Sequence, residues 1–112
     1  FGCGGDRDCE KRQLMGRIAC TLSDRVVVTS DNPRSEDPLQ IMRDIKLGCS
    51  GQYTLEIDRG QAIALAISEA SGGDCVLIAG KGHEDYQLIE GERLHFSDAD
   101  QVKRALAGRV ST

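Results

Sequence analysis

The chain has no run approaching the ~18 consecutive apolar residues of a membrane-crossing helix. Its longest clean apolar run, "CVLIAG" at residues 75–80, is the size of a strand. No signal peptide is visible either. The chain opens "FGCGGDRD", polar almost at once and without Met, so it reads as cut from something longer. Closely spaced cysteine pairs are missing. The five cysteines, Cys3, Cys9, Cys20, Cys49 and Cys75, are odd in number and show no C-x-x-C spacing. That removes the usual zinc-site and disulfide-framework patterns and leaves free thiols in a reducing compartment as the plain expectation. Positive charge is also short: 14 Lys+Arg against 18 Asp+Glu give a net charge of −4. A basic nucleic-acid-binding face is therefore not expected, although a local cationic site is still allowed.

What is present fits one domain. The 112 residues are enough to bury a core. After the glycine-dense opening, Leu14, Met15, Ile18, Ala19 and Leu22 recur at 3.6-residue spacing and predict a helix. "RVVVTS" at 25–30 is β-branched and predicts a buried strand. Asp37 can cap a second helix, Pro38 suits its first turn, and Ile41, Met42 and Ile45 form its apolar stripe, with Gly48 ending it. "YTLEI" at 53–57 predicts another strand. Asp58 can cap a third helix, with Gln61 completing a capping box and Ala62, Ile63, Ala66, Ile67 and Ala70 facing inward. "DCVLIA" at 74–79 is wholly apolar after its first residue, which predicts a strand covered on both faces. A hairpin turning at Glu90-Gly91 follows, and Ser97 with Asp100 opens a last helix.

Alternating helices and strands predict an α/β fold: a Rossmann-like, mostly parallel sheet with flanking helices and a C-terminal hairpin. In such sheets ligands lie beyond the carboxyl ends of the strands. Three polar loops fall there: "GCGGDRD", "SDNPRSED" and "GKGHED". "GKG" after an apolar run invites comparison with a nucleotide phosphate loop. Gly82, however, stands where that pattern needs Ser or Thr, and the preceding residues are strand-like. A glycine turn carrying solvated charges remains the alternative for this loop. In the first loop, the glycines could present amides to an anion, or Asp6 or Asp8 could simply cap the next helix. In "DNPR", Asn32 is held extended before Pro33, so Arg34 leaves a stiffened turn. Arg34 could bind a carboxylate through its planar fork, or pair on the surface with Glu36 or Asp37. Arg7, Arg34 and Glu84 together match two carboxylates and an ammonium, the charge pattern of an amino acid with an extra carboxyl group.

"FGCGGDRD" followed by "KR" and "MG", then "TSDNPRSEDP", "AGKGHEDYQ" and "FSD", resembles the C-terminal domain of the Mur ligases end to end, specifically their diaminopimelate-adding branch. The resemblance implies a Rossmann-like amino-acid-binding domain over residues 1–112, with a further strand before Phe1. It places a UDP-substrate domain and a central ATP-binding domain outside the segment. It implies an ATP- and Mg²⁺-dependent ligase of peptidoglycan synthesis in the bacterial cytoplasm. Such an enzyme joins meso-diaminopimelate to UDP-N-acetylmuramoyl-dipeptide through an acyl phosphate. The family's "DNPR" motif carries to Asp31, Asn32, Pro33 and Arg34, with Arg34 on the distal carboxylate. Arg7 carries to the carboxylate nearer the reacting amine, and the Gly80 carbonyl and Glu84 to the distal ammonium. The resemblance implies no catalytic residue and no metal ligand in this segment, which by itself is expected to bind the amino acid weakly and turn nothing over. A stand-alone amino-acid-binding module, or a ligase for another amino acid, is the alternative.

Overall fold

Two capped helices set the frame. In the computed structural model, which describes residues 1–110, Pro38–Lys46 and Arg59–Glu69 both begin where an aspartate takes a free amide. Leu39 N–H donates to Asp37 Oδ1 at 3.0 Å, and Gln61 N–H donates to Asp58 Oδ1 at 3.0 Å. The expected capping box is not closed by Gln61. The Asp58 amide donates instead to Glu56 Oε1 at 3.2 Å, because Glu56, two residues upstream, reaches it first.

In chain order the elements are α1 (Glu10–Leu22), β1 (Val26–Val28), α2 (Pro38–Lys46), β2 (Tyr53–Leu55), α3 (Arg59–Glu69), β3 (Tyr86–Ile89), β4 (Glu92–His95) and α4 (Asp98–Val110). β1 and β2 pair in parallel, Val26 opposite Tyr53 and Val28 opposite Leu55. β3 and β4 form an antiparallel hairpin, Tyr86 opposite His95. Glu90 and Gly91 both have positive φ, 49° and 78°, as a tight two-residue hairpin turn requires. α1 packs on α2, and α3 on α4. The main core joins Cys3, Val26, Val28, Ile41, Met42 and Ile45, while α3 buries Ala62, Ile63 and Ile67. This is the mixed α/β fold expected. Among the described residues no helix is long and apolar enough to cross a membrane.

A further expectation fails. Residues 74–79 form no strand: they are largely exposed, Leu77 at 84 %, and join no ladder. A strand needs a neighbour as well as apolar side chains. Beside β1, on the edge away from β2, Phe1 alone among the described residues pairs: its ammonium donates to Val27 O at 3.0 Å and its carbonyl accepts from Thr29 N–H at 2.9 Å. α1 forms where its apolar spacing predicted a helix, but not with that stripe turned inward. Leu14, Met15, Ile18 and Leu22 point outward, and the buried positions are Arg12 and Gly16. α1 meets α2 through small residues and a guanidinium rather than through its apolar stripe.

The contact between the two helices is close enough to demand glycine. A Cβ on Gly48 would lie 1.9 Å from the Gln13 carbonyl oxygen, and one on Gly16 would lie 2.2 Å from the Ile45 carbonyl oxygen. Gly48→Ala should therefore cost about 1–3 kcal/mol in urea unfolding, as overpacking typically does. Gly72→Ala, where a Cβ meets nothing within 4 Å, should stay near neutral. Equal effects of the two substitutions would contradict this packing.

Candidate functional site

The three loops meet beyond the carboxyl end of β1. The first, residues 2–8, lies directly on the second, residues 29–37. Gly5 N–H donates to the Asn32 carbonyl at 2.8 Å, Asp6 N–H to Glu36 Oε1 at 3.1 Å, and Ser35 Oγ to Asp6 Oδ2 at 2.7 Å. The two backbones approach so closely that a Cβ on Gly5 would lie 1.9 Å from the Pro33 carbonyl oxygen. Asp8 takes the Glu10 amide at 2.9 Å, the capping role open to it in the sequence.

Arg12 locks this seam from beneath. Its side chain is 1 % exposed. Nη1 donates to Glu36 Oε2 at 2.6 Å and to Asp44 Oδ2 at 2.9 Å. Nη2 donates to Glu36 Oε1 at 2.8 Å and to the Gly4 carbonyl at 3.1 Å. One guanidinium thus ties the first loop, the second loop and α2 together, gripping Glu36 through both oxygens. The hydrogen bonds from Arg12 hold the Glu36 carboxyl below its usual range, and the Asp6 amide adds to the effect. In return the Glu36 carboxylate raises the Arg12 pKa further, so Arg12 stays charged.

Arg34 sits above that lock with a left-handed backbone, φ 54°. The conformation is uncommon for a side chain with a Cβ and is held here by the hairpin. Arg34 N–H donates to the Leu88 carbonyl at 2.9 Å, and Glu90 N–H donates back to the Arg34 carbonyl at 2.7 Å. The guanidinium folds over the first loop: Nη1 donates to the Gly5 carbonyl at 2.9 Å and more distantly to that of Asn32 at 3.4 Å. Among the described residues, Nη2 and Nε have no protein acceptor. The surface pairing open in the sequence is not made: Glu36 is held by Arg12, and Asp37 caps α2. Arg7 is exposed, and Gly4 lies between the two arginines. A Cβ there would come 2.8 Å from Arg34 Nη1 and 3.6 Å from Arg7 Cγ.

The third loop meets the second on its other side. Lys81 is not a solvated charge: its side chain is fully buried. Nζ pairs with Asp31 Oδ1 at 2.8 Å and donates to Asn32 Oδ1 at 3.0 Å and the Tyr86 carbonyl at 2.9 Å. Leu88 N–H also donates to Asn32 Oδ1, at 2.9 Å. Two donors at one oxygen fix the orientation of the Asn32 amide and turn its Nδ2 toward Glu84 Oε1, 3.5 Å away. Gly80, with φ 120°, lies against the Asp31 carboxylate. Buried Arg59 braces the same end of the sheet, gripping Asp98 at 2.8 Å through both oxygens and donating to the carbonyls of Ser30 and Ala79.

The structure therefore brings the expected residues into two adjoining groups. Asp31, Asn32, Gly80 and Glu84 gather around Lys81, while Arg7 and Arg34 flank Gly4. Pro33 is buried between them as a packing residue. Arg12, Glu36 and Asp44 were not expected from the sequence. The sequence offered no clue to them, because Arg12 is one of three cations in α1, with Lys11 and Arg17, and nothing in the spacing singles it out. An open cleft of about 650 Å³ lies nearby, walled by Ser30, Pro33, Arg59, Gln87 and Phe96. Arg7, Arg34, Gly80 and Glu84 are not in its walls, so the loops themselves present the site. The cluster of Cys9, Glu36 and Asp44 has both carboxylates committed to Arg12, so it is built as a guanidinium lock and does not fit a divalent metal.

These features define an α/β domain that displays two arginines and a carboxylate at the carboxyl end of a parallel strand pair. The chain belongs to the Mur ligase family: residues 1–82 match the family described as Mur ligase, glutamate ligase domain. It is 57 % identical over 112 residues to the UDP-N-acetylmuramoyl-L-alanyl-D-glutamate--2,6-diaminopimelate ligase of Prochlorococcus marinus (strain MIT 9313), covering 98 % of this chain and 22 % of that protein. It is 58 % identical over 113 residues to the ligase of the same name from Synechocystis sp. (strain ATCC 27184 / PCC 6803 / Kazusa), covering 99 % and 22 %. A solved structure of a ligase so named superposes with a TM-score of 0.94 at 46 % identity, covering all of this chain and 24 % of that one. The chain thus spans less than a quarter of the length of the relatives it matches.

The lock predicts an acid sensitivity. Because the Glu36 pKa is depressed in the folded state, its contribution is present above the unfolded value of about 4.3 and is lost as pH falls through the lower folded value. Urea midpoints should drop on acidification below about pH 5, and Glu36→Gln should flatten that part of the curve. An unchanged profile in the variant would remove Glu36 from the account.

Proposed function

We propose that this chain is the amino-acid-binding part of an ATP-dependent ligase that adds meso-diaminopimelate to UDP-N-acetylmuramoyl-L-alanyl-D-glutamate. It would serve peptidoglycan synthesis in the bacterial cytoplasm. The observation that carries this reading is Arg34: a guanidinium edge without a protein acceptor, on a backbone fixed from two sides, whose neighbouring carboxylates are both engaged elsewhere. Such an edge suits the two oxygens of a carboxylate. The names of the relatives supply the ligand, an amino acid with a carboxylate and an ammonium at each end.

In this reading Arg34 takes the distal carboxylate and Arg7 the carboxylate beside the reacting amine. Glu84 and the Gly80 carbonyl take the distal ammonium, and the Asn32 amide faces the same ligand end. Asp31 and Pro33 shape the loop from within. The work of these residues is orientation. The attacking amine must be neutral and held close to the electrophilic carbon, and fixing the far end of the molecule on a rigid loop does that. Activation of the acceptor carboxylate as an acyl phosphate, with ATP and Mg²⁺, falls to the rest of the enzyme. The sequence carries no phosphate-loop pattern, and among the described residues the one candidate carboxylate cluster is held by Arg12.

In the full-length enzyme, Arg34→Ala should raise the KM for meso-diaminopimelate about 10- to 100-fold, the usual worth of a charge-assisted hydrogen-bond pair. The KM for ATP should stay put. Steady-state rates with each substrate varied in turn will show it, and an unchanged diaminopimelate KM would overturn the assignment.

A further inference from the structure

Lys81 has a role that neither the resemblance nor the names of the relatives assign. It is a fully buried ammonium placed between the second and third loops, with the Asp31 carboxylate at 2.8 Å and Glu84 Oε1 at 4.0 Å. Asp31 is 13 % exposed and Glu84 37 % exposed, so the lysine lies beneath both. Its other contacts go to the Asn32 amide oxygen and the Tyr86 carbonyl. Without Lys81, this side of the site would carry two carboxylates, Asp31 and Glu84, with no cation between them. With it, the charge of Asp31 is compensated at 2.8 Å, while Glu84, at 4.0 Å and 37 % exposed, keeps an outer face for a ligand cation. The same ammonium holds the Asn32 oxygen and so turns the amide donors toward Glu84.

We propose that Lys81 is a specificity-determining positioning residue. By cancelling the charge of Asp31 and orienting Asn32, it sets the site to accept an amino acid whose far end is zwitterionic rather than one whose far end is only cationic. The proposal rests on the ligand reading above. Its physical basis is the distance dependence of charge interactions. A uncompensated Asp31 would add a full negative charge beside Glu84, repelling a distal carboxylate and attracting a lone ammonium. A lysine that merely held the fold together would, when removed, weaken both kinds of ligand alike.

The test uses the full-length ligase with saturating ATP and UDP-substrate, comparing meso-diaminopimelate with L-lysine, which has the same ammonium end but no distal carboxylate. Lys81→Met should raise the diaminopimelate KM about 30-fold or more, the usual effect of removing one member of a buried charge pair. It should also move the ratio of kcat/KM for diaminopimelate over lysine about tenfold toward lysine, as one added charge near the ligand would. Adding Asp31→Asn to Lys81→Met restores the net charge and should recover most of that ratio, giving a clear coupling in the double-mutant cycle. Asp31→Asn alone exposes the lysine charge and should move the ratio the other way, which keeps the proposal testable if Lys81→Met fails to fold. A ratio unchanged in Lys81→Met, or shifted toward lysine in Asp31→Asn, would overturn the proposal. Arg34→Ala run alongside separates the two ideas: if it too leaves diaminopimelate binding intact, the ligand reading itself has failed.

Discussion

The arrangement depends on two cations that water cannot reach. Arg12 joins the first loop, the second loop and α2 by gripping Glu36, Asp44 and the Gly4 carbonyl. Lys81 joins the second loop to the third through Asp31, Asn32 and the Tyr86 carbonyl. Burying a charge is costly unless it is paired and hydrogen-bonded, so each cation demands that its partners stay in place. The recognition loop is thereby clamped from both flanks. Its short glycine-rich neighbours would not otherwise hold one geometry.

This division of labour explains why so few of the charged residues around the loops face a ligand. Glu36, Asp37, Asp44, Asp31 and Asp98 each have a structural partner. Arg7, the free edge of Arg34 and the outer face of Glu84 are left over. The strained backbone of Arg34 belongs to the same logic. The hairpin holds residue 34 by two backbone hydrogen bonds and so turns its side chain across Gly5 rather than along the surface.

Local signals were legible in the sequence. Asp37-Pro38, Asp58 and Glu90-Gly91 determine their own caps and turn with atoms from the same few residues. The loops at the strand ends followed from the alternation of helices and strands, and Arg34 stood out because capping and turn stiffness did not account for it. Long-range partnerships were not legible. Arg12 and Glu36 are 24 residues apart, and Lys81 and Asn32 are 49 apart, with nothing in the sequence to pair them. Residues 74–79 show the same limit for a strand, whose existence depends on a neighbour that periodicity does not specify. In α1, the apolar spacing predicted the helix but not its inward face, which the close approach of Gly16 and Gly48 to the facing backbone decides.

The central claim is that the free edge of Arg34 receives the distal carboxylate of the amino-acid substrate. A crystal structure of the full-length enzyme with meso-diaminopimelate bound tests it most directly. The account predicts that carboxylate within hydrogen-bonding distance of Arg34 Nη2 or Nε, with Lys81 still buried against Asp31. A bound molecule whose distal carboxylate lies elsewhere, leaving the Arg34 edge in solvent, would contradict it.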